Sequence, residues 1–180
     1  SYAIAKISGI KLCEALRKQY DFDAISLMPT NLYGPGDNYH AENSHVLPAM
    51  IRRFHEAKEA KADEVLIWGT GKPRRELMYV DDLAKGVLFL LKQEDPPDWV
   101  NLGTGVDHSI IEIAGLVKQT LGFNGKIVHD LSRPDGMPLK RLDVSLATAL
   151  GWSAETQLEN GIKLAYEDFL KGIEAGTTRL

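Results

Sequence analysis

Asp23-Ala24-Ile25-Ser26-Leu27-Met28-Pro29 reads as a short strand ended by proline, and its neighbours on both sides decide the fold class. Before it, Tyr2 to about Gln19 carries helical periodicity, with Ile4, Ile7, Leu12, Ala15 and Leu16 available for packing. After it, Thr30 to Asn43 is rich in Gly, Pro, Asn and Asp and reads as a loop of functional length. A helix is expected next, from about Ser44 to Glu59. The same alternation continues. Strands are expected at Glu64–Trp68, Glu76–Val80, Asp98–Leu102 and Lys126–His129. Helices are expected from Asp81 or Asp82, acting as cap, to about Lys92, from Ser109, and over Leu158–Leu170. The segment from Ile173 to Leu180 is expected to fray. Strands alternating with helices make the class α/β, with at least part of a parallel sheet.

Composition narrows the function classes. The chain has 180 residues, enough for one well-buried domain or for one domain and part of another. A net charge of −4 offers no general attraction for nucleic acid or an acidic membrane. The longest apolar run, around Gly86-Val87-Leu88-Phe89-Leu90-Leu91, is far shorter than a membrane span. One cysteine permits no internal disulfide, so a reducing cytoplasm is the default. Sparse, scattered histidines with that single cysteine argue against a structural zinc site, and no metal is expected.

Ser1-Tyr2-Ala3-Ile4-Ala5-Lys6 places a tyrosine and a lysine four positions apart, on one face of a helix. An ammonium beside a phenol stabilises the phenolate, so the tyrosine can exchange a proton near neutral pH. Interconverting a ketone and an alcohol while a nicotinamide carries hydride needs such a group. Read by themselves, Tyr2 and Lys6 are also ordinary helix-surface residues.

Further segments set that pair in context. Met28-Pro29-Thr30-Asn31-Leu32-Tyr33-Gly34-Pro35 follows the first strand. Trp68-Gly69-Thr70-Gly71-Lys72-Pro73-Arg74-Arg75-Glu76, Tyr79-Val80-Asp81-Asp82-Leu83-Ala84 and Asn101-Leu102-Gly103-Thr104-Gly105 come later, in that order. As a set they resemble the C-terminal half of an extended short-chain dehydrogenase/reductase acting on nucleotide sugars, and the resemblance covers nearly the whole chain. Pro29 to Pro35 with Asp37-Asn38, then Asn43-Ser44-His45-Val46 and Pro134-Asp135-Gly136, are similar to the GDP-L-fucose synthase family. That family joins 3,5-epimerisation to 4-keto reduction. The segment around His45 is the most telling, because inversion at C3 and C5 needs a base that a simple 4-epimerase does not.

The resemblance implies a set of roles. Tyr2 would protonate the C4 oxygen as hydride arrives from NADPH, and Lys6 would lower the Tyr2 pKa and hold the nicotinamide ribose. Pro29, Thr30, Asn31 and Leu32 would lie against the nicotinamide end of the cofactor, with Tyr2, Lys6 and His45 also touching it. His45 would move protons at C3 and C5, a task its imidazole suits; its bland alternative is a helix-cap histidine. Arg53, Trp68, Arg75 and Asp135 would hold the GDP-sugar substrate. Paired guanidinium hydrogen bonds suit a diphosphate. Trp68 is otherwise a core strand residue, and Asp135 otherwise a turn residue. Lys140 and Arg141 would add positive charge nearby, while Arg52, Lys72 and Arg74 read as solvated charge.

Some apparent motifs carry nothing. Cys13 lies eleven positions after Tyr2, roughly 16 Å along the helix axis, too far to share one sugar ring. Gly69-Thr70-Gly71 and Gly103-Thr104-Gly105 are not dinucleotide fingerprints, the second having His108 where a third glycine would stand. The resemblance therefore implies a fragment. Residues 1–35 and about 80–105 would be the remainder of a cofactor domain, and about 36–79 and 106–172 a substrate-binding domain. The glycine-rich half, and the family's catalytic serine and cysteine, would precede Ser1. Such a fragment should not catalyse alone, and the intact enzyme would be a homodimer through the Tyr-Lys helix. Two other readings stay open: an NAD-dependent nucleotide-sugar 4-epimerase or 4,6-dehydratase, and a non-catalytic nucleotide-sugar binding module.

Overall fold

The computed structural model describes residues 1–180. Its elements run α1 (Tyr2–Tyr20), β1 (Ser26–Pro29), β2 (Asn31–Tyr33), α2 (Val46–Glu59), β3 (Glu64–Trp68), β4 (Arg74–Tyr79), α3 (Val80–Leu90), β5 (Trp99–Leu102) and β6 (Asp107–Ser109). They continue with α4 (Ile110–Leu121), β7 (Lys126–Asp130), β8 (Leu139–Lys140), α5 (Ser145–Ala149) and α6 (Leu158–Ala175). The α/β class stands as expected. β1 pairs with β5, β2 with β4 and β3 with β7, all in parallel.

β4 is the hinge between two packed regions. Its first half, Arg74–Glu76, lies antiparallel to β6, and Arg74–Arg75 also lies parallel to β8. Its second half, Leu77–Tyr79, lies parallel to β2. Successive side chains point to opposite faces of a strand. Leu77 and Tyr79 accordingly enter a large core with Phe54, Val65, Ile67, Ile113, Ile162 and Phe169. Met78 enters a smaller core with Leu90, Val100, Leu102, Ala147 and Trp152.

α4 shows how local sequence sets its boundaries. Ser109 accepts a hydrogen bond from the Glu112 amide while the Glu112 carboxylate accepts from the Ser109 amide, a complete capping box. Gly122, at φ 67°, ends the helix in the left-handed conformation that glycine adopts without a Cβ penalty.

Several expectations need correction. Neither Asp81 nor Asp82 caps α3. β4 runs into the helix without a loop, Tyr79 is the N-cap, and Asp82 turns inward to accept from the Glu155 and Thr156 amides at 3.2 and 2.8 Å. The stretch from Thr30 to Asn43 is not all loop, since Asn31–Tyr33 pairs with β4. β6, β8 and α5 are too short for periodicity to reveal. The closing helix runs to Ala175. The tail does not fray: the Tyr39 amide donates to the Arg179 carbonyl at 2.9 Å and Asn38 bridges Arg179.

α1 stands apart, with no buried residue and with Ile4, Ile7 and Leu12 exposed. Arg17 ties it down, donating to the carbonyls of Ala24 and Pro96 at 2.7 and 2.8 Å and pairing with Asp98 at 2.9 Å.

Candidate functional site

A cleft of about 300 Å³ opens between the start of α2, the end of β3 and the segment joining β7 to β8. Arg53, Trp68, Arg75 and Asp135 all line it, so the structure gathers four side chains that lie up to 82 positions apart in the sequence. β3 buries alternate residues, Val65 and Ile67, which turns Glu64, Leu66 and Trp68 outward. Trp68 is 53% exposed and is therefore not the core residue that a strand tryptophan usually is.

The Arg53 guanidinium lies 4.6 Å from the Trp68 ring centre, and that of Arg133 lies 5.2 Å from it. Both approaches are within cation–π range. Arg53 makes no ion pair and no side-chain hydrogen bond. Burial pushes its pKa below the ordinary guanidinium value, against an opposing pull from Glu56. A partly desolvated cation with its donors unspent is suited to an anionic ligand. Arg75 also lines the cleft and donates to the carbonyls of Arg74 and Met137 at 2.8 and 2.6 Å.

Asp135 closes the outer side. Its two carboxylate oxygens accept from the Thr70 amide at 2.8 Å and the Thr70 hydroxyl at 2.7 Å. The Thr70 hydroxyl is the main cause of an Asp135 pKa below the ordinary carboxylate range, followed by the Thr70 amide.

His45 is the N-cap of α2 but makes no side-chain cap bond, and it is exposed. The helix-cap reading of this histidine thus lacks its hydrogen bond. Ser44 and Val46, on either side of it, line the cleft. Burial raises the Asp37 pKa, against smaller opposing effects from the Asn38 amide and then from nearby His45.

The remaining predicted residues lie outside this cleft. Tyr2 and Lys6 do come together, with the Lys6 ammonium 5.7 Å from the Tyr2 ring centre, on the exposed start of α1. No hydrogen bond or ion pair joins them to the cleft. Pro29 is exposed at the carboxyl end of β1, followed by buried Thr30. Thr30 and Asn31 both donate to the Glu76 carbonyl, at 3.3 and 2.9 Å, and Leu32 packs against the smaller core. Lys140 donates to Asn31 at 3.3 Å and Arg141 to Asp107 at 3.0 Å, so neither lines the cleft.

Two residues read as solvated charge are in fact partnered. Arg74 pairs with Asp107 and, at 3.5 Å, with Glu112. Arg52 pairs with Glu56 and donates to the Tyr39 carbonyl at 3.1 Å. A larger hollow of about 680 Å³ lies where α2 and α4 end, lined by Lys58, Lys61 and Lys126. There Lys58 caps the Leu121 carbonyl at 2.8 Å, so the lysine serves a helix end rather than a ligand.

Sequence reading missed Glu76. Its side chain is fully buried, at 0% exposure, and accepts from the Gly105 amide at 2.8 Å and the Leu142 amide at 2.7 Å. The available signal was an acid at the head of the apolar strand Glu76-Leu77-Met78-Tyr79-Val80. Thr70 and Arg133 were also missed, since an exposed turn threonine and a lone arginine carry no periodicity.

Residues 1–103 match the model of the NAD dependent epimerase/dehydratase family. GDP-L-fucose synthase 1 of Arabidopsis thaliana is 53% identical over 172 residues, which is 96% of this chain and 53% of its own length. GDP-L-fucose synthase of Escherichia coli K12 is 47% identical over 179 residues, 94% of this chain and 56% of that protein. A crystal structure of a GDP-L-fucose synthetase from Naegleria fowleri bound to NADP superposes with a TM-score of 0.86. It is 27% identical, and the match covers 99% of this chain and 56% of that one. The chain thus spans about half the length of the curated relatives it matches.

Proposed function

Because the chain belongs to the NAD dependent epimerase/dehydratase family, we propose that it supplies the substrate-binding half and the Tyr-Lys helix of a GDP-L-fucose synthase. Such an enzyme would convert GDP-4-keto-6-deoxy-D-mannose to GDP-L-fucose by 3,5-epimerisation and NADPH-dependent 4-keto reduction. The observation that carries this reading is Arg53, a half-buried guanidinium over Trp68 with no ion-pair partner, lining the same cleft as Arg75. Two arginines can clamp a diphosphate, and an exposed indole beside them offers an apolar face to a sugar or base.

His45, between two cleft-lining residues, is the proton-transfer group for C3 and C5. Inversion there requires removing a proton next to the electron-withdrawing ketone and returning one to the other face. Tyr2 delivers the proton to the C4 oxygen, with the Lys6 ammonium 5.7 Å from its ring centre.

The residues fit a nicotinamide cofactor on one structural ground. Pro29 is exposed at the carboxyl end of β1, beside its parallel partner β5, and open parallel sheets take ligands at that end. The cofactor's contribution when bound is a hydride. Pro29 and Leu32 would shape the wall beside it. The Glu76 carbonyl holds Thr30 and Asn31 in place there.

The boundary between the cofactor and substrate regions runs through β4. The exposed Ile4, Ile7 and Leu12 on α1 suit a helix that packs against a second copy in a homodimer. A cytoplasmic setting accords with the single cysteine, and no helix is long and apolar enough to cross a membrane.

The test is calorimetric titration of the folded chain with GDP-fucose and, separately, UDP-glucose. Selective binding of GDP-fucose is expected. A preference for UDP-glucose would move the assignment to a 4-epimerase or 4,6-dehydratase.

A further inference from the structure

The segment from Leu131 to Pro138 crosses the outer side of the cleft with no regular structure, and all of its side chains are exposed. What fixes it there comes from the turn between β3 and β4, from the first two residues of β4, and from Asp130, which accepts from the Ser132 amide and hydroxyl at 3.0 and 2.5 Å. Asp135 takes both Thr70 donors, Met137 receives Arg75, and the Pro138 carbonyl receives the Arg74 amide at 2.7 Å. Backbone fit is as restrictive as hydrogen bonding. Gly69 has φ 71°, and a Cβ added there would come within 2.3 Å of the Asp135 carboxylate. A Cβ on Gly136 would stand 3.0 Å from the Arg75 guanidinium. The turn and the segment are therefore shaped to each other at two glycines and joined by a two-point bond at Thr70.

We propose that Thr70 is a positioning residue: it holds Asp135, and with it the strap 131–138, as the outer wall of the ligand cleft. The proposal rests on the nucleotide-sugar reading for what the cleft holds, but not for the latch itself. With both carboxylate oxygens engaged by Thr70, Asp135 presents a fixed edge to the cleft, and Arg133 is kept over Trp68. Without the latch the middle of the strap would lose its own anchor and be held only from its ends, through Asp130 and the Arg133–Trp68 contact on one side and Arg74 and Arg75 on the other, and each binding event would have to order it, a loss that appears as weaker affinity.

Thr70→Val is isosteric and removes the hydroxyl, which donates to Asp135 and accepts from the Lys72 amide at 3.2 Å, while Thr70→Ser retains both of these bonds and the amide donor. Amide hydrogen exchange of residues 131–138 and calorimetric affinity for GDP are measured on the full chain for both variants. Thr70→Val is expected to speed exchange in the strap and to weaken GDP binding roughly threefold to tenfold, as loss of one charge-assisted hydrogen bond allows. Thr70→Ser is expected to match the unmodified chain in both. Asp135→Asn should loosen the same amides, by exchanging an ionised acceptor for a neutral one. Unchanged exchange in Thr70→Val would overturn the latch whatever the ligand. Faster exchange with unchanged GDP affinity would overturn the positioning role. If the unmodified chain binds no GDP while exchange still rises in Thr70→Val, the latch stands and the nucleotide reading falls.

Discussion

The Arg53 guanidinium lies 4.6 Å from the centre of the Trp68 ring, joining helix α2 to strand β3 on one side of the cleft. Because Trp68 is largely outside the core, its substitution should separate binding from stability. Trp68→Leu is expected to weaken GDP binding about tenfold, with an unfolding free energy within about 0.5 kcal/mol of the parent. Arg53→Met should weaken it further, since an anionic ligand would lose its least solvated cation. Titration calorimetry beside urea denaturation checks both, and a binding curve left intact in Arg53→Met would remove the diphosphate assignment.

Tyr2 is 78% exposed, so Tyr2→Phe should leave the stability of this chain unchanged. In a chain of the relatives' full length it should impair ketone reduction most. His45→Gln in that setting should abolish epimerisation while NADPH binding persists. Isotope exchange from solvent at C3 and C5 would report the His45 step directly, and normal exchange would exclude His45 from it.

Glu76 sits where β4 changes partners, and its carboxylate links that strand to Gly105 and Leu142. Replacing it with alanine leaves the Gly105 and Leu142 amides without their carboxylate acceptor. The expected loss is roughly 3 kcal/mol in denaturant unfolding. A Cβ on Gly103 would stand 2.1 Å from the same carboxylate, so Gly103→Ala should be destabilising for a related reason. The double variant should cost clearly less than the sum of the two, as contacting sites do. Strict additivity would show that they act separately.

Stability should fall at both pH extremes, for opposite reasons. Asp107, Glu112, Asp130, Asp135 and Asp143 lie below their ordinary pKa values. The leading causes are the Arg74 side chain, the Ser109 amide, the Ser132 hydroxyl, the Thr70 hydroxyl and the Ser145 amide respectively. The unfolded chain binds these protons first, so their contribution is present above about pH 4 and is lost as pH falls through the depressed folded values. Tyr33, Tyr39, Tyr79 and Tyr166 are raised, chiefly by burial. Their contribution is complete below about pH 10 and is lost as pH rises through the folded values. Thermal melts across the pH range should show this plateau, and tyrosinate absorbance should develop late in the folded protein relative to the unfolded chain.

Long elements were legible because periodicity accumulates over many residues. α1 and α2, of 19 and 14 residues, lie close to where the pattern of apolar positions puts them. Asp82 illustrates the limit. An acid two residues into a helix reads as a cap, but β4 enters α3 without a loop, so the acid is turned inward onto Glu155 and Thr156. Strands of two or three residues such as β6 and β8 have no period to read, and exist because β4 offers them a paired edge.

The site divides in the same way. The pairing of Tyr2 with Lys6 is local and can be read from the chain, because helix geometry brings residues four apart onto one face. The types of side chain present for binding an anion can be read there too. It takes the packed molecule to bring Arg53, Trp68, Arg75 and Asp135 into one cleft, to turn Trp68 out of the core, and to commit Asp135 to Thr70. These are contacts between segments far apart in the chain. Their geometry follows from which faces of β3 and β4 are buried, and burial is a property of the packed molecule rather than of any local stretch.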